Sequence, residues 1–161
     1  MFNITKQYRT ETAHRLMDYN GKCSHNHGHS YLWEVTATHL GGILTNGMVV
    51  DFKDLKGVME SILEPLDHAT VLREDDPLLD ALIGVTATNG ADQRIISIPV
   101  NPTAEMMAAV FGTMIDFELS KLDLGVVLVR LWETSTSFAD WSPHLQGEPL
   151  VVYPIYYGEK K

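Results

Sequence analysis

Polar and apolar residues alternate from Phe2 to Thr12, with Phe2, Ile4, Tyr8, Thr10 and Thr12 on one side and Asn3, Thr5, Gln7, Arg9 and Glu11 on the other. A period of two is that of a half-buried strand, and this one runs into His14. The stretch from Asn20 to Asn26 is small and polar, reads as a loop, and carries Cys23. Alternation resumes from His27 to Leu40, where Tyr31, Trp33, Val35, Thr36 and Thr38 are the aromatic and β-branched types that suit a pleated surface. Gly41, Gly42, Asn46 and Gly47 break that pattern. From Asp51 the apolar residues Phe52, Leu55, Met59, Ile62, Leu63 and Leu66 recur at helical spacing, which predicts a helix ending near Pro65.

The pattern is weaker from 73 to 101: a turn at Arg73 to Pro77, a short helix from Leu78 to Val85 and a short strand from Ile95 to Val100. Asn101, Pro102 and Thr103 open a second long helix, because proline is tolerated in a first turn, and Met106, Val110, Met114 and Phe117 mark its expected buried face. A strand from Val126 to Thr134 follows Gly125. Then come a Ser/Thr-rich turn, a loop through Pro143 and Gly147, and a last strand near Leu150 to Tyr157. Strands at both ends with helices between them suit an α+β fold, an antiparallel sheet with both helices on one face.

Composition narrows the function. With 161 residues, 45% of them hydrophobic, the chain is expected to form one domain over 1–161. A formal net charge of −9 argues against a nucleic-acid or anionic-membrane surface, since neither can be held without clustered Lys and Arg. No run approaches the about 18 apolar residues of a membrane span. The first residues lack the charged-then-apolar order of a leader, so a soluble, cytoplasmic protein is expected. A single cysteine cannot close an internal disulfide and leaves a thiol free to react or bind metal.

His27 and His29 stand two apart where a strand begins, so their imidazoles share a face. If the first two strands pair as a hairpin, His14 at the end of one lies beside them, and three nitrogens converge. Three protein ligands with an open fourth position are the arrangement of a catalytic zinc; a closed structural site needs thiolates that one cysteine cannot supply. A lone histidine is more often an ordinary residue than a ligand, but three that converge reverse that weighting. A free cysteine is usually a small buried hydrophobe, yet Cys23, in a polar loop beside Lys22 and near a divalent ion, is a candidate base or nucleophile. Asp67 and His68 pair a carboxylate with an imidazole, suited to proton transfer near neutral pH; alternatively they cap the helix end. Glu133, in an apolar strand with Val127, Val129 and Leu131 on its face, is either solvated or holds a cationic or amidine-like group. Thr103 and Glu105 read as a helix start and its first-turn acid.

Six motifs in order, Thr12-Ala13-His14-Arg15-Leu16, Cys23-x-x-x-His27-Gly28-His29, Gly47-Met48-Val49-Val50-Asp51-Phe52, Leu66-Asp67-His68, Pro102-Thr103-Ala104-Glu105 and Trp132-Glu133-Thr134, resemble the 6-pyruvoyltetrahydropterin synthase family, including its bacterial 6-carboxytetrahydropterin synthase branch. The resemblance implies a tunnelling fold, a four-stranded antiparallel sheet with two helices whose barrel closes by association into homotrimers or homohexamers. It implies zinc on His14, His27 and His29. Cys23 would act with Asp67 and His68 of a neighbouring copy, and Glu133, with Thr103 and Glu105, would bind a pterin. The implied substrate is 7,8-dihydroneopterin triphosphate, and the implied product is either 6-carboxytetrahydropterin for queuosine or other 7-deazaguanine synthesis, or 6-pyruvoyltetrahydropterin. The short Cys-x-x-x-His spacing and the Asn-Pro-Thr helix start resemble the carboxy branch. Retention of Cys23 argues against variants with glutamate there. Arg9, Arg15, Lys22, Lys53 and Lys56 are candidate phosphate contacts. Extra length at 73–100 and 135–147, and an additional His25, depart from the pattern.

Overall fold

The fold was obtained as a computed structural model that describes residues 2–42, 44, 46–89, 93–143 and 154–157. The elements are β1 (Asn3–His14), β2 (His27–His39), α1 (Phe52–Leu63), β3 (Ala69–Arg73), α2 (Pro77–Asn89), β4 (Ile95–Ile98), α3 (Ala104–Ser120), β5 (Leu124–Trp132), β6 (Phe138–Trp141) and β7 (Ile155–Tyr157), with short 3-10 turns at Lys22–Ser24 and Glu64–Leu66. The described strands form one sheet in the order β6-β5-β2-β1-β3-β4-β7.

The centre of the sheet is the expected hairpin. β1 and β2 pair antiparallel over their whole length, from Asn3↔Thr38 to His14↔His27. Even-numbered residues of β1 and odd-numbered residues of β2 point inward, so Thr10, Thr12 and His14 meet Tyr31, Trp33, Val35 and Ala37 in the core. On the outward face Thr5 meets Thr36, Gln7 meets Glu34 and Ser30 meets Glu11 through hydrogen bonds of 2.8, 2.7 and 2.6 Å.

The α+β class holds, but the sheet is larger than the four antiparallel strands expected and is mixed. β3 lies parallel to β1, and β4 parallel to β3. β4 forms where a short strand from Ile95 to Val100 was expected, ending at Ile98 and buried at every position, whereas the five residues of β3 give too short a pattern to read. β6 pairs with β5 within what the sequence suggested was loop. Residues 150–153 of the expected last strand and Gly147 of the loop before it lie outside the described residues.

Among the described residues there are three α-helices. α1 begins at Asp51, whose carboxylate accepts the Lys53 amide at 2.8 Å, and buries Leu55, Met59 and Leu63. α3 begins at Thr103 and buries Met107, Ala108, Val110, Phe111, Ile115 and Leu119. The expected face was therefore misplaced: Phe117 is 64% exposed, and Met106 and Met114 are only half-buried. A helix apolar on most sides does not reveal its inner stripe by spacing alone. α1 and α3 pack with β1, β2 and β5 in the main core, whereas α2 packs with Leu72 and Ile95 in a separate cluster. Val71 belongs to the first cluster and Leu72 to the second, and neighbouring strand residues face opposite ways, so α2 covers the other side of the sheet. Among the described residues no helix is long and apolar enough to cross a membrane.

Candidate metal centre and cleft

The strand ladder builds the three-histidine cluster. His14 is paired directly with His27, and His29 stands opposite Thr12, so the rings enter one inward layer at one end of the hairpin. Ring centroids are 4.6 Å apart for His14 and His27, 5.2 Å for His14 and His29, and 4.9 Å for His27 and His29. One nitrogen from each ring lies within 4.8 Å of the other two.

Two carbonyls orient the rings. His14 Nδ1 donates to the Pro102 carbonyl at 2.6 Å and His27 Nδ1 to the His25 carbonyl at 2.8 Å. A carbonyl only accepts, so Nδ1 carries the hydrogen in both rings and Nε2 keeps its lone pair. The extra histidine, His25, is exposed and contributes its backbone. His29 Nε2 is buried and without a hydrogen-bond partner among the described residues; the Glu133 carboxylate stands 3.8 Å away, too long for a bond. A buried polar nitrogen left alone is costly, and a metal ion would satisfy it. The donor set fits a metal ion with an open position.

Burial lowers the pKa of His14; the Pro102 carbonyl and Glu133 oppose this, while His27 and His29 add to it. Burial lowers that of His29 too, against the pull of Glu133. Both rings are held neutral near pH 7, the form that binds a metal.

Glu133 lies one residue past β5, and continuing the β2–β5 register beyond Leu32↔Trp132 sets it opposite Tyr31. The Tyr31 hydroxyl donates to Glu133 Oε1 at 3.2 Å and lies 3.3 Å from His14 Nε2. Tyr31 is wholly buried; burial, Glu133 and Cys23 push its phenol far above the usual range, so it remains a donor. In the sequence Tyr31 read only as a strand residue, although its place two residues beyond His29 makes it the next inward position. The expected face of Glu133 also needs correcting. A bulge between Thr36 and Ala37 shifts the pairing so that Val126 joins Val129 and Leu131 inside, and Val127 is only half-buried.

His14, Cys23, Thr103, Glu105 and Glu133 line one open cleft of about 280 Å³. Cys23 is half-buried in the 3-10 turn, and its carbonyl accepts the Leu16 amide at 2.8 Å. The Thr103 hydroxyl accepts the Met106 amide at 3.3 Å, and Glu105 is exposed in the first turn of α3. Two further walls, Tyr19 and Phe138, had no marker in the sequence beyond their aromatic character. The Arg130 guanidinium lies 3.8 Å over the Phe138 ring and is held by Asp140 at 2.7 and 2.8 Å.

Asp67 and His68 stand elsewhere. Asp67 Oδ1 accepts the Glu11 amide at 2.8 Å, Oδ2 accepts His68 Nδ1 at 2.9 Å, and the His68 amide donates to the Glu11 carbonyl at 2.7 Å. The carboxylate thus grips β1 instead of capping α1, which ends at Leu63. Burial raises the Asp67 pKa, but the Glu11 amide and His68 outweigh it and the net shift is downward. His68 has φ +59°, a left-handed conformation uncommon for a residue with a side chain, and its side chain is 77% exposed. Among the described residues, none of the polar contacts of this pair reaches Cys23 or the three histidines. Of the basic candidates, Arg15 is committed to Asp76, with Nε to Oδ2 at 2.7 Å, and Lys56 stands 3.9 Å from Glu60. Arg9, Lys22 and Lys53 are exposed.

The sheet, its two inner helices and this histidine centre define a tunnelling-fold protein. The profile of the 6-pyruvoyl tetrahydropterin synthase family matches residues 3–144, and the chain belongs to that family. It is 32% identical over 147 residues to the 6-carboxy-5,6,7,8-tetrahydropterin synthase of Haemophilus influenzae, covering 88% of this chain and 99% of the relative. To the protein of the same name from Aquifex aeolicus it is 31% identical over 159 residues, covering 87% and 97%. Its fold is similar to that of an uncharacterised protein from Wolinella succinogenes, with TM-score 0.72 and 22% identity over 88% of this chain and 98% of the other. The 6-pyruvoyl tetrahydropterin synthase of Plasmodium falciparum shares it at TM-score 0.60 and 18% identity, covering 87% and 96%.

Proposed function

We propose that the protein is a zinc-dependent 6-carboxy-5,6,7,8-tetrahydropterin synthase, converting 7,8-dihydroneopterin triphosphate to 6-carboxytetrahydropterin, acetaldehyde and triphosphate in queuosine or 7-deazaguanine synthesis. The observation that carries this reading is the convergence of three imidazoles, one of which, His14, lines a cleft together with the free thiol of Cys23 and the Glu133 carboxylate. The names of the relatives at about 30% identity support the carboxy product.

In this reading His14, His27 and His29 hold the zinc. When bound, it supplies Lewis-acid polarisation of the substrate's side-chain oxygens, which makes the adjacent C–H more acidic. Glu133 accepts hydrogen bonds from the amino and ring N–H groups of the pterin, and Tyr31 steadies one of its oxygens. Thr103 and Glu105 line the same cleft and complete the pterin contacts in this reading. Cys23, as thiolate, takes a proton from the side-chain carbon. His68, whose Nδ1–H is held by Asp67, uses Nε2 to move the second proton. The separation of that pair from Cys23 within one chain supports a site completed by a second copy, as in a homotrimer or homohexamer. Arg9, Lys22 and Lys53 remain the basic residues available to a triphosphate.

The test is to incubate zinc-loaded protein with 7,8-dihydroneopterin triphosphate and identify the products by mass. 6-Carboxytetrahydropterin with acetaldehyde supports the proposal; 6-pyruvoyltetrahydropterin would assign the other branch; no turnover with zinc bound would favour a pterin-binding protein without catalysis.

A further inference from the structure

The segment after His14 is tied down at every residue. Arg15 grips the buried Asp76, the Leu16 amide donates to the Cys23 carbonyl at 2.8 Å, and Met17 is held through both of its backbone groups by one side chain. That side chain is Asn101: its Oδ1 accepts the Met17 amide at 2.8 Å and its Nδ2 donates to the Met17 carbonyl at 2.8 Å. The two bonds span 84 positions of sequence. The next residue is Pro102, whose carbonyl receives His14 Nδ1 at 2.6 Å. The Asn101 carbonyl also accepts the Thr103 amide at 2.8 Å, which sets the turn that starts α3.

These contacts form a closed ring: from the His14 backbone to Met17, through the Asn101 amide to Pro102, and from the Pro102 carbonyl back to the His14 imidazole. Proline fixes its own φ, and the Thr103 amide bonded to the Asn101 carbonyl at 2.8 Å closes the turn around Pro102 and restrains its ψ, so once Asn101 is clamped the direction of the Pro102 carbonyl has little freedom. We propose that Asn101 is a positioning residue for the metal centre, holding the Pro102 carbonyl where it selects the Nδ1–H tautomer of His14 and aims Nε2 at the metal position. The partner of a ligand's second nitrogen fixes its tautomer and orientation, and here that partner is itself fixed by an amide clamp. The same clamp joins the segment that holds Cys23 to the turn that carries Thr103 and Glu105, so the metal side and the substrate side of the cleft share one anchor.

The inference rests on the reading of the histidines as metal ligands, and its test separates the two. Zinc affinity of wild type, Asn101→Ala and Asn101→Asp is measured by competition with a chromophoric chelator, below the melting temperature of each. The visible spectrum of the Co²⁺-substituted proteins is recorded beside it. Asn101→Ala is expected to bind zinc about tenfold more weakly with an altered Co²⁺ spectrum, since partners behind metal ligands typically contribute roughly 10–100-fold. Asn101→Asp keeps the acceptor for the Met17 amide, loses the donor, and is expected to fall between. A clamp that only stabilises the fold would lower the melting temperature and leave both readouts of the folded protein unchanged; affinities within twofold of wild type and unaltered spectra overturn the proposal. If the alanine variant does not fold, Asn101→Asp decides by the same two readouts. Absence of zinc binding by wild type would sink the metal reading itself, and the positioning role with it.

Discussion

Tyr31 and Glu133 meet across β2 and the end of β5, a buried phenol donating at 3.2 Å to a carboxylate that opens on the cleft. The pair converts a strand-end acid into an oriented one. Tyr31→Phe keeps the ring and removes only the hydroxyl, at a cost of about 1 kcal/mol in the hold on Glu133. The expected result is a KM for the pterin substrate raised about fivefold with a smaller change in kcat, read by steady-state kinetics. An equal fall in kcat and kcat/KM would instead place the hydroxyl in the chemical step.

Zinc should stabilise the fold through His29. Its buried Nε2 has no hydrogen-bond partner among the described residues, so adding zinc is expected to raise the melting temperature of metal-free wild type. His29→Ala is expected to abolish that rise and reduce bound zinc to a small fraction of one per chain, measured by calorimetric scans and metal analysis. A full zinc-dependent rise in the variant would show that the ion binds elsewhere.

Acid should weaken the metal-free protein through two carboxylates outside the centre. Hydrogen bonds from Trp132 and Gln7 hold the Glu34 carboxyl below its usual 4.5, and Asp67 is held below 3.8. Because both folded-state values lie below the unfolded ones, their stabilisation is complete above about pH 4.5 and is lost as pH falls through the lowered values. Glu34→Gln, which retains an acceptor for Trp132, is expected to flatten the decline of melting temperature below pH 4.5. A decline identical to wild type would remove Glu34 from the account.

Gly112 fixes the position of β6. A Cβ there would come within 2.5 and 2.7 Å of the Trp141 ring and 3.2 Å of Val129, so Gly112→Ala must displace the tryptophan. Overpacking of this kind costs about 1–3 kcal/mol, a fall of several degrees in melting temperature for a chain of this size. Phe138 and Ala139 on the same strand line the cleft, so a rise in KM is expected with it. An unchanged melting temperature would mean that the helix–strand contact is looser than described.

The three-histidine cluster was the most legible part of the chain, because a period of two and a hairpin are enough to bring His14, His27 and His29 together. The thiol, Glu133, Thr103 and Glu105 were legible mainly as motifs, and the fold gathers them by pairing β5 with β2 and by starting α3 under β1's end. Tyr31 was legible in position but not in role, since its partner lies 102 residues away. β3 and β6 were missed: short strands owe their existence to the neighbours they pair with, and a five-residue stretch after His68 has no pattern of its own. The inner stripe of α3 was right at Val110 but misplaced elsewhere, because Met106 and Met107 are equally apolar and only Met107 joins the core cluster.

Strand β1 grips two pieces of chemistry at once: its last side chain enters the histidine cluster, and the backbone of Glu11 holds Asp67 and His68. A slip of β1 by a single residue would turn His14 outward and, in the same movement, take the Glu11 amide and carbonyl away from the dyad. The histidine cluster and the Asp67–His68 pair are therefore keyed to one register, and a misaligned hairpin forfeits both together.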